Sequence, residues 1–487
     1  MAQQKLLIEE WLPIQIIGAE SMRERGASSA LPPNYFLHVW WARRPLTASR
    51  AAILASVLPA WSEDFPKNLK TQFPNRESYH AWFLRACGIF GDPVEGRKLI
   101  SWAKDKGIKL AIPPYSHPRA FTVNPDQDIL DTVKKLLTYT WGHSELSVID
   151  PFSGGGSIPF ESLRYGFKTI ANELNPVANV ILKATLDYPF RFGAALGQDI
   201  NRYGKELVEK VQARLDPYFP REDGESIHAY IWARTVACPY TGKPIPLSPN
   251  WWLLKGDAPV AAQARYDAAM PEATFRIVTG KDACAKAHAD QGTVKRGAAV
   301  SPWANHQIVD SDYIKREAQA GRMGQHLFAI ATKRRSGLTF RTPTQADLDA
   351  VHAAEIELSR RLPVWEMNGI VPREPFPPQS NDLRPLRYGM PTWGDFFSPR
   401  ALLTLCTYLE ELNELKTRIM KELGAERGKA VITYLGIPLD KAADYNSRLV
   451  HWDSTRIKIC NTFDRHDYSF KWSYAEFDGA HNLFPWA

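Results

Sequence analysis

The spacing of apolar and polar residues changes several times along the chain and divides it into regular and irregular stretches. From Thr47 to Leu58 small and apolar residues predominate, with Pro45 just ahead and Pro59 just beyond, which predicts a helix. Residues 61–124 are broken by Gly and Pro and read as mixed helix and loop. After the polar stretch 141–145, the run LSVIDPFSGGGSIPFESLRYGFKTIANELNPVANVILKATL predicts a strand, a glycine turn, a helix, a second strand and a second helix. Such alternation marks an α/β unit whose parallel strands are joined by a crossover helix. Asn175 can cap the second helix and Pro176 can occupy its first position, where a missing amide hydrogen costs little.

Residues from about 189 to 387 interrupt that repeat with Pro-rich turns, the pair Trp251 and Trp252, an Ala-rich run and the basic stretch KRRSGLTFR from Lys333 to Arg341. They read as one or two inserted domains. Near Trp393 regularity returns. Leu402, Leu405, Leu409, Leu412, Leu415, Ile419 and Leu423 recur at spacings near three and four, which predicts an amphipathic helix, and a further helical segment is expected from Lys429 to Asp444.

Composition narrows the picture. With 487 residues, 44% hydrophobic and 23% charged, the chain can build more than one core and is neither a disordered polymer nor a charged coiled coil. The formal charge of +7 is compatible with an acidic partner such as nucleic acid without requiring one. Cys87, Cys238, Cys284, Cys406 and Cys460 are scattered and include no CxxC, which argues against a disulfide scaffold or a four-thiolate metal site. The opening MAQQKLLIEEWLPIQII lacks the order of a signal peptide, and no stretch supplies the roughly 20 apolar residues needed to span a bilayer. The expected location is the cytoplasm, with no membrane partner.

The strongest constellation is DPFSGGGS. Asp150 ends the first apolar strand, and Gly154, Gly155 and Gly156 lead into a helix. Glycines let a backbone turn sharply and approach a ligand, and the helix start offers amide hydrogens. Glu173 follows Asp150 by 23 positions, at the end of the next strand, where a carboxylate can accept hydrogen bonds from ribose hydroxyls. That geometry serves several adenosine cofactors. GxGxxG and GxxxxGK[ST] are both absent, and an acidic residue at the turn suits a positively charged sulfonium better than a pyrophosphate.

On these residues the sequence resembles the adenine-specific DNA methylase family with a central zinc-ribbon insertion, several members of which sit in anti-phage gene clusters. DPFSGGGSIPFESLRYG is similar to its S-adenosyl-L-methionine motif, NELNPVANVILKA to its ribose-side segment, and HVWWARRPLTASRAAILASVLP to its amino-terminal signature. The likeness continues in WARTVACPYTGKPIPLSPNWWL, GTVKRGAAVSP and YGMPTWGDFFSPRALLTL, so it covers almost the whole chain. It implies a Rossmann-like methyltransferase fold, incomplete here and carrying a large mixed insertion. The implied cofactor-binding residues are Asp150, Phe152, Gly154, Gly156, Glu173 and Asn175, with Trp41 and Arg43 near the pocket or the DNA. The implied organisation is an amino-terminal helical or mixed region 1–145, the first part of the methyltransferase core 146–190, an insertion 191–387 with a role in DNA recognition, and a helical return segment 388–487.

Two departures from the family qualify that expectation. Where relatives carry two CxxC pairs, this chain has Cys238, Thr241, Ser301 and Ala304. One thiol with such partners cannot hold structural zinc, so a degenerate ribbon without metal is expected. The family's DPPY-like catalytic loop is also missing. LDPYFP, with Asp216, Pro217 and Tyr218, and AIPPYSHP, with Pro113, Pro114 and Tyr115, are near matches that read as turns. By resemblance the chain stops before that loop, leaving the catalytic residues unknown and calling for a second polypeptide. The expected function is S-adenosyl-L-methionine-dependent, site-specific DNA adenine-N6 methylation of restriction-modification or anti-phage type, or the cofactor-binding portion of it. The alternative is an inactive DNA-binding or assembly subunit of a defence system. A nicotinamide oxidoreductase shares only the related fold.

Overall fold

Local punctuation sets the helices of the amino-terminal part in the computed structural model, which describes residues 4–26, 31–32, 35, 37–38, 40, 42, 44–222, 224–335, 337–464 and 467–482. After a single helical turn at Leu7–Glu10 come the longer helices α1 (Ile14–Arg25) and α2 (Leu46–Val57). Then α3 (Arg76–Ala86) starts at the Asn75 cap, and α4 (Pro93–Asp105) at the Asp92 cap with Pro93 in the first turn. In α5 (Gln127–Trp141), Asp126 caps the start and Gly142 closes the end in the left-handed conformation. Its Ile129, Val133, Leu136 and Leu137 share one face and join Leu54, Leu58, Phe73, Tyr79 and Phe83 in the core.

The chain divides into two units, residues 1–196 and 197–487. The first ends in a β–α–β–α run: β1 (Ser147–Asp150), α6 (Ser157–Arg164), β2 (Lys168–Ala171) and α7 (Pro176–Leu182). The two strands are parallel, with Ile149 opposite Ile170 and Asp150 opposite Ala171. Val148 packs on the core, whereas Ile149 and Ile170 on the other face are 65% and 48% exposed. Beyond α7 the helix widens into a π turn at Lys183–Asp187 and continues over Tyr188–Phe192. Pro189 explains the widening, since its ring crowds the preceding turn and it donates no amide hydrogen.

Helix α8 (Ala195–Leu215), which starts two residues before the second unit, leads to β3 (Ser226–Ala237), a strand buried on both faces from Ala229 to Val236. Strands β4 (Pro244–Leu247), β5 (Trp252–Leu254), β6 (Val260–Arg265), β7 (Thr274–Thr279), β8 (Val294–Lys295), β9 (Ala298–Val300) and β10 (Ile308–Val309) follow. After α9 (Ser311–Gln319) come β11 (Gly324–Arg334), β12 (Gly337–Arg341) and three long helices, α10 (Gln345–Met367), α11 (Pro399–Leu423) and α12 (Ala425–Asn446). The hairpin β13 (His451–Asp453) and β14 (Lys458–Cys460) precedes β15 (Ser473–Glu476). The main sheet has the order β12–β11–β3–β15, with β4 also on β3. On one of its faces lie Arg400 and Glu476, an ion pair of 2.9 Å with both side chains 1% exposed, with the guanidinium 4.0 Å above the Tyr230 ring.

The architecture is mixed α/β, but its strand order differs from a Rossmann-like sheet. Among the described strands β1 and β2 form the one parallel pair, and every other pairing is antiparallel. The physical reason lies in the connections: only β1 and β2 are joined by a crossover helix lying on their own sheet. No helix among the described residues is long and apolar enough to cross a membrane.

Candidate functional site

The glycine turn sits at the carboxyl ends of the two parallel strands, where ligands of open α/β units bind. The Asp150 carbonyl accepts from the Asn172 amide at 2.9 Å and the Ser153 amide donates to the Asn172 carbonyl at 3.0 Å, so the ladder continues one step past the strands. Asp150 Oδ1 accepts from the Phe152 amide at 3.2 Å and leaves that ring 83% exposed on the turn. Gly154 and Gly156 have φ of +50° and +81°, the left-handed region that glycine enters without penalty. A Cβ on Gly154 would lie 2.8 Å from Trp40 Nε1, and one on Gly156 2.8 Å from Leu182 Cδ2. Both positions therefore need glycine for space as well as for conformation.

Glu173 closes the other side. Its Oε2 accepts from the Gly154 amide at 2.8 Å, and its Oε1 from the amides of Leu174 and Asn175 at 2.9 and 3.0 Å. The amide hydrogens of Asn175 and Gly154 hold this carboxyl below the usual carboxylate range. Asn175 turns the other way: its Oδ1 caps α7 by accepting from the Val177 amide at 2.9 Å. Thus Asp150, Phe152, Gly154, Gly156, Glu173 and Asn175 come together at one end of the β–α–β unit. Trp41 and Arg43 lie outside the described residues.

Sequence reasoning missed Trp40 as a site residue. Its indole lies over Gly154 and Gly155, and the nearby Arg44 carbonyl accepts from both Ser157 Oγ and the Tyr35 hydroxyl at 2.8 Å. The available signal is the aromatic run HVWWARR, which does not say which of its residues meets the glycines. The amino-terminal helices also fix α6 from behind. Arg50, buried in α2, donates from Nε to Glu161 on α6 at 2.7 Å and from Nη1 to the carbonyls of Cys87, Ala120 and Val123, each at 3.1 Å. Burial opposes the Arg50 charge, but the Glu161 carboxylate and its other neighbours outweigh it and the net pKa moves up. Glu24 accepts from the amides of Leu46 and Thr47 and so caps α2 from the side.

Residues 11–84 match a family model described as a protein of unknown function, DUF1156. Neither the curated proteins nor the solved structures give a match to the chain. The DUF1156 stretch contains Glu24, Trp40, Arg44 and Arg50, so it supplies both the indole over the glycine turn and the buried guanidinium behind it.

The other residues singled out by sequence fall in the second unit or in packed turns. Cys238 Sγ and Ser301 Oγ are 3.0 Å apart. Each begins a tight turn: the Gly242 amide donates to the Cys238 carbonyl, and the Ala304 amide to the Ser301 carbonyl. Burial pushes the Cys238 thiol up, but hydrogen bonds with Ser301 and Thr241 outweigh it and the net direction is down. Two arginines of the basic stretch are paired within the protein. Arg334 pairs with Glu222 at 2.6 Å, and Arg341 with Asp347 at 2.6 Å and Glu225 at 3.2 Å. Both near matches to a catalytic loop make other contacts. The Arg23 guanidinium stands 4.2 Å above the Tyr115 ring, and Asp216 Oδ1 lies 2.9 Å from His481 Nε2.

Proposed function

We propose that the end of the β–α–β unit binds S-adenosyl-L-methionine, and that the chain serves as the cofactor-binding and target-recognition portion of a DNA adenine-N6 methyltransferase. The observation that carries this reading is the closure of the glycine turn against Glu173, which sets a carboxylate beside the Gly154 amide at the carboxyl ends of the two parallel strands, with the Trp40 indole against the same glycines. In this reading Gly154 and Gly156 let the cofactor approach, Glu173 takes the ribose hydroxyls, Asp150 takes the methionine amino group, Asn175 holds the helix that follows, and Phe152 and Trp40 flank the purine side. Trp41 and Arg43 belong to the same amino-terminal signature and are assigned to the pocket rim or the DNA. When bound, the cofactor supplies an electrophilic methyl group on a sulfonium. The amino-terminal match supports the assignment, because that domain is sometimes found with DNA-methylase-like proteins.

Calorimetry on the full chain with S-adenosyl-L-methionine, S-adenosylhomocysteine and NAD tests the assignment. Both sulfur-containing nucleosides should bind, and Glu173→Ala should weaken them on the order of tenfold, the loss of a charge-assisted hydrogen-bond acceptor. Binding of NAD in preference, or binding that Glu173→Ala leaves intact, would overturn it.

A second reading, an inactive DNA-binding or assembly subunit, is favoured by the engagement of Tyr115 with Arg23 and of Asp216 with His481. A methyl-transfer assay separates the two. Cofactor binding without transfer, restored by a second polypeptide, fits the first; salt-sensitive DNA binding with no cofactor affinity fits the second.

A further inference from the structure

The hairpin β13–β14 has two unlike faces. Trp452 and Ile459 pack on the core of the second unit, where the Trp452 indole also donates to the Leu253 carbonyl at 2.7 Å. On the opposite face the register sets His451 directly across from Cys460. The chain then turns through Thr462–Asp464 and returns Asp464 to the same place. An imidazole nitrogen, the Cys460 sulfur and an Asp464 oxygen all lie within 4.8 Å of one another. Cys460 is 4% exposed, yet its neighbours on this face are polar, which is unlike the apolar setting of a cysteine used only for packing.

We propose that His451, Cys460 and Asp464 form a binding site for a divalent cation of the zinc class. The donor set decides the class. One nitrogen, one sulfur and one oxygen suit a borderline-soft ion, whereas magnesium and calcium take oxygens alone. A neutral imidazole, one thiolate and one carboxylate carry two negative charges, which balance a divalent ion, and the thiol proton is released to solvent on binding. Three protein ligands leave a fourth tetrahedral position for water. Asp453 Oδ2, 3.9 Å from the same sulfur, stands just outside and is held by Arg456 Nε at 2.6 Å. The ion would tie the hairpin to the turn that leads into β15. This site is separate from the Cys238–Ser301 contact and independent of the cofactor assignment.

The test is a cobalt(II) titration of the chelator-treated full chain, followed by thiolate-to-cobalt charge-transfer absorbance, with zinc added to displace the cobalt. One equivalent should saturate the band and zinc should abolish it. Cys460→Ser should remove the band, Cys238→Ser should leave it, and His451→Gln or Asp464→Asn should weaken affinity about tenfold or more. Circular dichroism checks that each variant is folded. If Cys460→Ser does not fold, Asp464→Asn decides, because its carboxylate is exposed. No thiolate band in the unaltered chain, a band that survives Cys460→Ser, or unchanged affinity in a folded Asp464→Asn would overturn the proposal.

Discussion

Arg50 Nε and Glu161 Oε2 are 2.7 Å apart, with side chains 1% and 0% exposed, and they join the DUF1156 stretch to the helix that follows the glycine turn. Removing Arg50 leaves the buried Glu161 carboxylate with the longer Arg164 Nε contact of 3.6 Å in place of its 2.7 Å partner. Arg50→Met is therefore expected to destabilise the first unit by about 3–5 kcal/mol in urea unfolding. The double variant Arg50→Met/Glu161→Leu should recover part of that loss. A double variant no better than Arg50→Met would mean that the three carbonyl contacts of Arg50, rather than the ion pair, carry the effect.

Gly154→Ala brings two costs that can be separated. The left-handed backbone costs roughly 1–2 kcal/mol for a residue with a Cβ, and that Cβ would meet the Trp40 indole. Adding Trp40→Ala should relieve the second cost and leave the first. Thermal melts of the two variants and of their combination should show non-additivity of the corresponding sign.

His481 gives the second unit a pH dependence of known sign. Its hydrogen bond to Asp478 at 2.8 Å, more than any other contact, raises the pKa of the imidazole above its ordinary value, and Asp216 adds to the effect. A raised folded-state pKa means stability that is fully present below about pH 6.5, the unfolded value, and is lost as pH rises through the folded value. His481→Gln should flatten unfolding free energy over that window. A profile identical to that of the unaltered protein would count against the contact.

The Cys238 and Ser301 turns provide a gain-of-function check on the expectation of a degenerate ribbon. With Sγ and Oγ already 3.0 Å apart, the triple variant T241C/S301C/A304C should bind one zinc ion per chain through four thiolates, measured by metal analysis after dialysis. Failure to bind would show that the two turns are not arranged as metal knuckles.

Legibility in the sequence followed sequence distance. Asn175 and Pro176 signal the start of α7 within two residues, and the leucine stripe from Leu402 signals α11 within one helix. The β–α–β unit could be read because glycine, Asn and Pro act locally. The antiparallel sheet of the second unit could not, because β15 reaches β3 across most of that unit, setting Tyr474 beside Trp232. The pairing of Arg334 with Glu222, and of Arg341 with Glu225, was hidden for the same reason, since those glutamates precede them by more than a hundred residues; the pair of Arg341 with Asp347, six residues on, is local. Within the candidate site, the turn and Glu173 were legible from spacing. Trp40 was not, since only the fold shows which residue of an aromatic run meets the glycines.

The side-by-side isoleucines at 149 and 170 have a practical outcome at the bench. They sit on a parallel pair whose two outer strand edges carry no neighbouring strand among the described residues, which makes a template for unwanted strand addition. Concentrated preparations should form reversible oligomers, growing with protein concentration in sedimentation, and a lysine at position 149 should keep them apart.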